Sequence, residues 1–352
     1  MLRVFRYLGG GLLTLTALLL LIYVLGPRPS FLPVDAEFSA EVLELEGPRE
    51  TAEWLHAREA AVEDLRPNND ARVIWADSAR RTKWVIVYLH GYSAGPREGD
   101  PVVRDMAARY GANLLEARLT QHGRKMNNPF LDLEPQELTR SAAEALQLGS
   151  KLGDMLLLVT CSTGSTLGLW LAANEPELVD GVICWSPNID LEDKNSSLLL
   201  GPWGLQLAHS FFPDGFREFE ADDSVRLYWT NRYRVEGLLT LKSLVTQTMT
   251  EQTFAAINQP VFMGLWYKSE EERDMVVSRE AAQRAFSQLG TPEADKVWMD
   301  FANVDAHVLA SRHYSKDLAS VRNAAYAFAE EQMGMKALSV PDGNTEEQAS
   351  GE

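Results

Sequence analysis

Met155-Leu156-Leu157-Leu158-Val159-Thr160-Cys161-Ser162-Thr163-Gly164-Ser165 is the stretch on which the fold reading turns. Its first residues, Met155 to Val159, are uniformly apolar, as a strand buried on both faces requires. Small and polar residues follow at once, and from Thr163 to Asn174 the pattern is helical. The segment therefore reads as strand, sharp turn and helix, with Ser162 at the turn. So tight a turn brings backbone against backbone and favours small residues two before and two after its centre. Gly164 meets the second demand, Thr160 meets the first poorly because it is β-branched, and Gly168 lets the helix lie close to the sheet. Ser162 is then either a helix cap or a nucleophile beside the amides and partial positive charge of a helix N-terminus. Cys161 is a rival nucleophile, but one residue earlier its side chain should point into the sheet packing.

Outward from this turn, short apolar runs alternate with amphipathic stretches. Ala71–Trp75, Trp84–Leu89, Asn113–Ala117, Val179–Trp185, Val261–Trp266 and Lys296–Phe301 read as further strands. Thr51–Leu65, Asp100–Tyr110, Pro135–Leu152 and Ser278–Leu289 read as further helices. Such alternation predicts an α/β fold, a mostly parallel sheet with helices on both faces. The stretch from Trp185 to Val261 is too long for a simple crossover and holds Trp203, Phe211, Phe212, Phe216, Trp229 and Tyr233, with helical patches at Leu198–Phe211 and Gly237–Ala256. It reads as a small helical cap at about 188–257, whose rings either line an apolar site or fill the cap's own core.

An activated serine needs a base, an orienting carboxylate and amide donors for the tetrahedral intermediate. Trp84–Leu89 runs into His90-Gly91-Tyr92-Ser93-Ala94-Gly95, a glycine-containing loop that can aim the Tyr92 N–H toward the same place as that of Thr163. His90 fits a structural role in holding that loop. Tyr267–Ser278 offers Glu270, Glu271, Glu272 and Asp274; the first three read as a solvated charge run, so Asp274 is the expected acid, with Asp190 in reserve. His307 follows the last strand in Phe301-Ala302-Asn303-Val304-Asp305-Ala306-His307-Val308.

The ends of the chain differ from its body. Tyr7–Gly26 carries no charge, is dense in leucine and follows Arg3 and Arg6. As a helix it would extend about 30 Å, a bilayer's hydrocarbon thickness. A cleavable signal peptide has an apolar region of about 7–15 residues and a small-x-small site. Here Val24 stands at the minus-three place and Pro27 follows the most plausible cut. Residues 1–30 are thus expected to form an uncleaved anchor, with a signal peptide as the alternative, and residues 31–335 to form the body on the extracytoplasmic side. Residues 336–352 are expected to be a disordered acidic tail, reading SVPDGNTEEQASGE from Ser339.

The 352 residues carry 33 Lys+Arg against 50 Asp+Glu, a net charge of −17, and are 45% hydrophobic, which excludes a largely unfolded chain. An acidic balance without a Lys/Arg cluster also argues against nucleic-acid binding. Cys161 and Cys184 alone cannot build a disulfide framework or a four-ligand zinc site, and His56, His209 and His313 lack partners at ligand spacing. No metal and no cofactor are expected.

Taken jointly, LHGYSAG at Leu89–Gly95, ARLTQHG at Ala117–Gly123, VTCSTGST at Val159–Thr166, RDMVVS at Arg273–Ser278 and VDAHV at Val304–Val308 resemble the α/β-hydrolase family. Within it they are similar to the monoacylglycerol-lipase-like and serine-aminopeptidase-like branch. The order Ser162, Asp274, His307 is that family's order. The resemblance implies an α/β-hydrolase fold with the cap inserted after the sixth strand. It implies that Ser162 attacks an acyl carbonyl, that His307 takes and returns the proton, that Asp274 holds the imidazolium, and that the Tyr92 and Thr163 amides form the oxyanion hole. His122, in a loop used structurally, is given no chemistry. The function implied is a membrane-anchored serine hydrolase of a small-molecule carboxylic ester, lipid-like or amphiphilic. A peptidase or amidase of the same fold, or a non-catalytic binding protein, are the alternatives.

Overall fold

The computed structural model describes residues 2–339, and the side chains of residue 11 and of residues 13–339. Helix α1 (Leu2–Val24) leads into an extended strap that reaches α2 (Ala40–Glu44), capped by the Ser39 side chain, and α3 (Pro48–Ala60). The strap follows the body closely: the Val34 N–H donates to Gln247 and the Ser39 N–H to Gln147. The expected span Tyr7–Gly26 falls in part, at 7–10 and 12, outside the described side chains. Among the described residues no helix is long and apolar enough to cross a membrane. The helix expected from Thr51 starts earlier, at Pro48, because proline is pre-set for the first helical position.

The sheet is laid down by β1 (Arg72–Ile74), β2 (Thr82–Leu89), α4 (Val102–Tyr110), β3 (Asn113–Glu116), α5 (Pro135–Leu152), β4 (Gly153–Cys161), α6 (Thr163–Asn174) and β5 (Gly181–Trp185). The cap follows: a 3-10 turn at Lys194–Leu200, then α7 (Gly204–Phe211), β6 (Phe216–Glu218), α8 (Asp223–Arg226), β7 (Arg232–Arg234), α9 (Glu236–Thr248) and α10 (Glu251–Ala256). The chain closes with β8 (Val261–Trp266), α11 (Arg279–Gln288), β9 (Lys296–Phe301) and α12 (Leu318–Glu331). The last helix extends the alternation read from sequence and buries Val321, Ala325, Phe328 and Ala329.

Seven strands pair in the order β1-β3-β2-β4-β5-β8-β9, parallel throughout except for β1 against β3. Side chains of β2 alternate between two cores. Val85, Val87 and Leu89 join Leu138, Leu146 and Leu171 on the α5/α6 side, while Trp84, Ile86 and Tyr88 join Met106, Ala325 and Phe328 on the α4/α12 side. In β4 the same alternation sends Cys161 to the second core, as its position before Ser162 predicts.

Three expectations need correction. Counted along the chain, the cap follows the fifth strand, since the first described strand is β1. Nor is the cap wholly helical: β6 and β7 pair antiparallel, with the Arg232 guanidinium 3.5 Å and that of Arg234 5.0 Å from the Phe216 ring centroid. Strands of three residues are too short to show a period. The tail expected from 336 is held to the body at its start, where the Leu338 N–H donates to Arg109 O at 2.8 Å; residues 340–352 lie outside the described residues. Of the cap's rings, Phe212 packs in the cap's own small cluster, Trp229 meets Tyr314 edge-on and Phe211 is exposed. Tyr233 instead reaches the loop after β2, where it meets Tyr92 edge-on.

Candidate active site

Every expected site residue stands beyond the carboxyl end of a parallel strand, the end where open α/β sheets place their ligands. Ser162, directly after β4, takes φ 52° and ψ −115°. For a residue with a side chain this region costs on the order of 1–3 kcal/mol and persists only when its surroundings impose it. Here they do. The Ser162 N–H donates to Trp185 O, and Ser162 O accepts from the N–H groups of Ser165, Thr166 and Asn188.

The neighbours of the turn explain how Thr160 fits. A methyl group at Gly164 would lie 1.9 Å from Leu89 O, so the first turn of α6 rests on the backbone of β2. A methyl group at Gly168 would lie 2.8 Å from Thr160 Cγ2, so the threonine methyl occupies the space the glycine leaves. The Thr160 hydroxyl is satisfied by Ile183 O at 2.8 Å and Ser165 Oγ at 2.9 Å.

Across the turn lies the loop after β2. Its Gly91 N–H is engaged by Glu98 Oε2 at 2.7 Å, whereas the next amide, that of Tyr92, has no acceptor among the described residues. Thr163 is the first residue of α6, so its N–H has no acceptor inside the helix. The loop is tied to the cap, because the Tyr92 hydroxyl donates to Gly237 O at 2.8 Å and the Thr230 N–H donates to Ser93 O at 2.7 Å.

Asp274 and His307, distant in sequence, meet with Nδ1 to Oδ2 at 2.6 Å. The other Asp274 oxygen accepts from the Val276 N–H at 2.8 Å and the Val277 N–H at 3.4 Å. The aspartate side chain is 1% exposed and that of the histidine 17%. Burial by itself raises the Asp274 pKa, but the charge and hydrogen bond of His307 and the two amides carry it below the ordinary aspartate value. Burial likewise lowers that of His307, and the Asp274 charge and hydrogen bond, with help from the Glu98 charge, leave it above 6.5. Trp185-Ser186 joins the pair to the turn: Trp185 O holds the Ser162 N–H, and the Ser186 hydroxyl donates to His307 O at 2.6 Å. No hydrogen bond joins the Ser162 hydroxyl to the imidazole among the described residues.

The competing residues are placed elsewhere. Glu270 and Glu272 are exposed and pair with Arg273 and Lys268. Asp190 pairs with Lys242 Nζ at 2.6 Å. The Cys161 thiol is buried and its pKa pushed far up, first by burial and then by the Glu98 charge, so it stays protonated. His90 braces two loops, its Nδ1 on Gly91 O at 2.8 Å and its Nε2 accepting from the Leu119 N–H at 3.1 Å. Burial lowers its pKa to about 4. His122 is buried against His90, Tyr92 and Phe130, with Nδ1 on Thr120 O. Among the described residues no group of three or more His, Cys, Asp and Glu could hold a metal ion.

One residue of this neighbourhood escaped the sequence reading. Glu98 follows the Leu89–Gly95 loop with no sequence signal to mark it, yet it is 2% exposed and its carboxyl and the Ser162 Cβ both lie close to Gly91.

No family model and no curated protein matches this chain. Solved structures do. A structure from work on LipS and LipT, two metagenome-derived lipolytic enzymes, superposes with TM-score 0.59 at 17% identity, over 75% of this chain and 98% of the other. The monoacylglycerol lipase of Paleococcus ferrophilus gives 0.52 at 13% identity, over 72% and 95%. A soluble variant of the monoglyceride lipase of Saccharomyces cerevisiae gives 0.51 at 12% identity, over 75% and 91%. These likenesses establish that the chain has the α/β-hydrolase fold.

Proposed function

We propose that this protein is a serine hydrolase that cleaves carboxylic esters through an acyl-enzyme on Ser162. The observation that carries the reading is the buried Asp274–His307 pair at 2.6 Å, tied through Trp185-Ser186 to a serine in a strained strand-to-helix turn. Neutral His307 takes the Ser162 proton at Nε2 as Oγ attacks the carbonyl carbon, while Asp274 holds Nδ1–H and stabilises the imidazolium. The charge that develops on the carbonyl oxygen is received by the amides of Tyr92 and Thr163. Collapse expels the alkoxide, which takes the proton back from His307, and water activated by the same imidazole releases the acid.

An apolar, lipid-like acyl group is supported by Met275 and Val276, which follow Asp274 directly and are 62% and 49% exposed. The three solved structures named above are of lipolytic or monoglyceride-cleaving proteins, which favours the same substrate class. The first helix is proposed as the membrane anchor, with the catalytic body on the extracytoplasmic side. In favour of this are the charge-free run Tyr7–Gly26 and the exposure of Leu13, Leu15 and the residues from Leu18 to Leu25. Whether the full chain stays in the membrane pellet through an alkaline carbonate wash tests that placement.

A fluorophosphonate probe tests the chemistry. It should label the folded chain on Ser162, and Ser162→Ala and His307→Ala should each lower turnover of p-nitrophenyl esters by several orders of magnitude. Absence of an adduct on Ser162 would replace this reading with a non-catalytic, ligand-binding one.

A further inference from the structure

Glu98 is a buried carboxyl that the proposed reaction leaves without a part. Its Oε2 accepts from the Gly91 N–H at 2.7 Å and from the Tyr88 hydroxyl at 2.9 Å. A methyl group at Gly91 would lie 3.0 Å from Glu98 Oε1 and 3.2 Å from Ser162 Cβ, so carboxyl and nucleophile flank the same face of one residue. We propose that Glu98 is a positioning residue for this chemistry: its carboxylate fixes the peptide that presents the Tyr92 N–H, and its charge, set beside Ser162, acts on His307. The proposal rests on the serine-hydrolase reading of the same site.

Two features support it. First, peptide direction: with the Gly91 N–H drawn down to Glu98, the Tyr92 N–H is left free for an oxyanion, and a carboxylate, having acceptors only, satisfies both donors at once. Second, charge. Burial lifts the Glu98 pKa to about 7, against the Gly91 and Tyr88 hydrogen bonds and the His307 charge. Tyr88 from β2, Cys161 from β4 and Tyr314 from the segment after β9 face the same carboxyl, and burial holds each of them neutral at physiological pH. Asp100 on the same loop is paired with Arg97 and Arg104, and Asp274 stays ionised. Near neutrality the groups that change charge here are therefore Glu98 and His307, whose titrations are coupled.

The sign follows. A negative neighbour favours the imidazolium, so neutralising Glu98 makes His307 easier to deprotonate. The test is kcat/KM against pH for the full chain on a short-chain p-nitrophenyl ester, read at the isosbestic wavelength, with Ser162→Ala as the blank. Glu98→Gln keeps the shape and an acceptor oxygen. Its acid limb should move to lower pH by roughly half a unit or more and fall with one proton where the wild type falls with two. Glu98→Asp, which keeps the charge on a shorter arm, should lose kcat with its limb unmoved, and it stands in if the glutamine variant does not fold. A glutamine limb left in place, or an aspartate limb displaced as far, would overturn the proposal while the hydrolase reading stood. A Ser162→Ala protein as active as wild type would overturn both.

Discussion

At Asp274 both carboxylate oxygens are in use, one by the His307 ring and one by two backbone amides, with the side chain 1% exposed. That arrangement fixes the tautomer that carries its proton on Nδ1 and leaves Nε2 as the acceptor. Asp274→Asn keeps the shape but offers an N–H where the ring needs an acceptor, so kcat should drop by about 10³–10⁴. Asp190, engaged by Lys242, should tolerate the same change with kcat near wild type. Steady-state kinetics of the two variants decides, and the reverse ranking would reassign the acid. Because the interactions that raise the His307 pKa outweigh its burial, kcat/KM should fall as pH drops through a value above 6.5.

The element that matters most is the β4–α6 turn. It departs from the small-residue rule at Thr160, and the departure is absorbed one helical turn away at Gly168. A methyl group at Gly168 has nowhere to go while the Thr160 methyl is present, so Gly168→Ala should destabilise the fold by about 1–3 kcal/mol. Thr160→Ser, which retains the hydroxyl bonded to Ile183 O and Ser165 but removes the methyl, should recover most of that loss in the double variant. Urea denaturation of the four proteins gives the coupling; strictly additive effects would mean that the two groups do not share the space. The loop after β2 is a second joined element, since Tyr92 carries both a free amide and a hydroxyl on the cap's α9.

Over the whole molecule, the end of α1 and the strap after it are fastened to the cap: the Trp203 indole donates to Ile22 O at 3.2 Å and the Trp203 N–H to Pro27 O at 2.7 Å. A first helix held in a bilayer would therefore hold the cap beside it. The chain should remain in the pellet through alkaline carbonate and dissolve only in detergent, whereas a chain released by the wash would be peripheral and the anchor reading would fail. The chain's net charge of −17 gives it no attraction for anionic lipid, so any binding to a bilayer would have to come from the apolar helix.

Continuous apolar runs and turn residues are local properties, and they made the central strands, the Ser162 turn and the loop after β2 legible in the sequence. Chain order singled out His307 once the other parts were in view. Desolvation and partnership depend on residues far apart in the chain, and there the sequence offered only candidates. It offered several acids, and only packing set Asp274 against His307 while leaving Glu270 in solvent and Asp190 on Lys242. It gave no signal for Glu98, and the fold set that carboxyl against Gly91 beside the nucleophile, where burial lifts its pKa to about 7. It gave no sign that β1 runs antiparallel or that β6 and β7 pair, because three residues hold less than two periods of a strand. Pattern determines elements because each residue's preference acts on its neighbours, whereas the environment of a charge is made by whatever the finished fold brings to it.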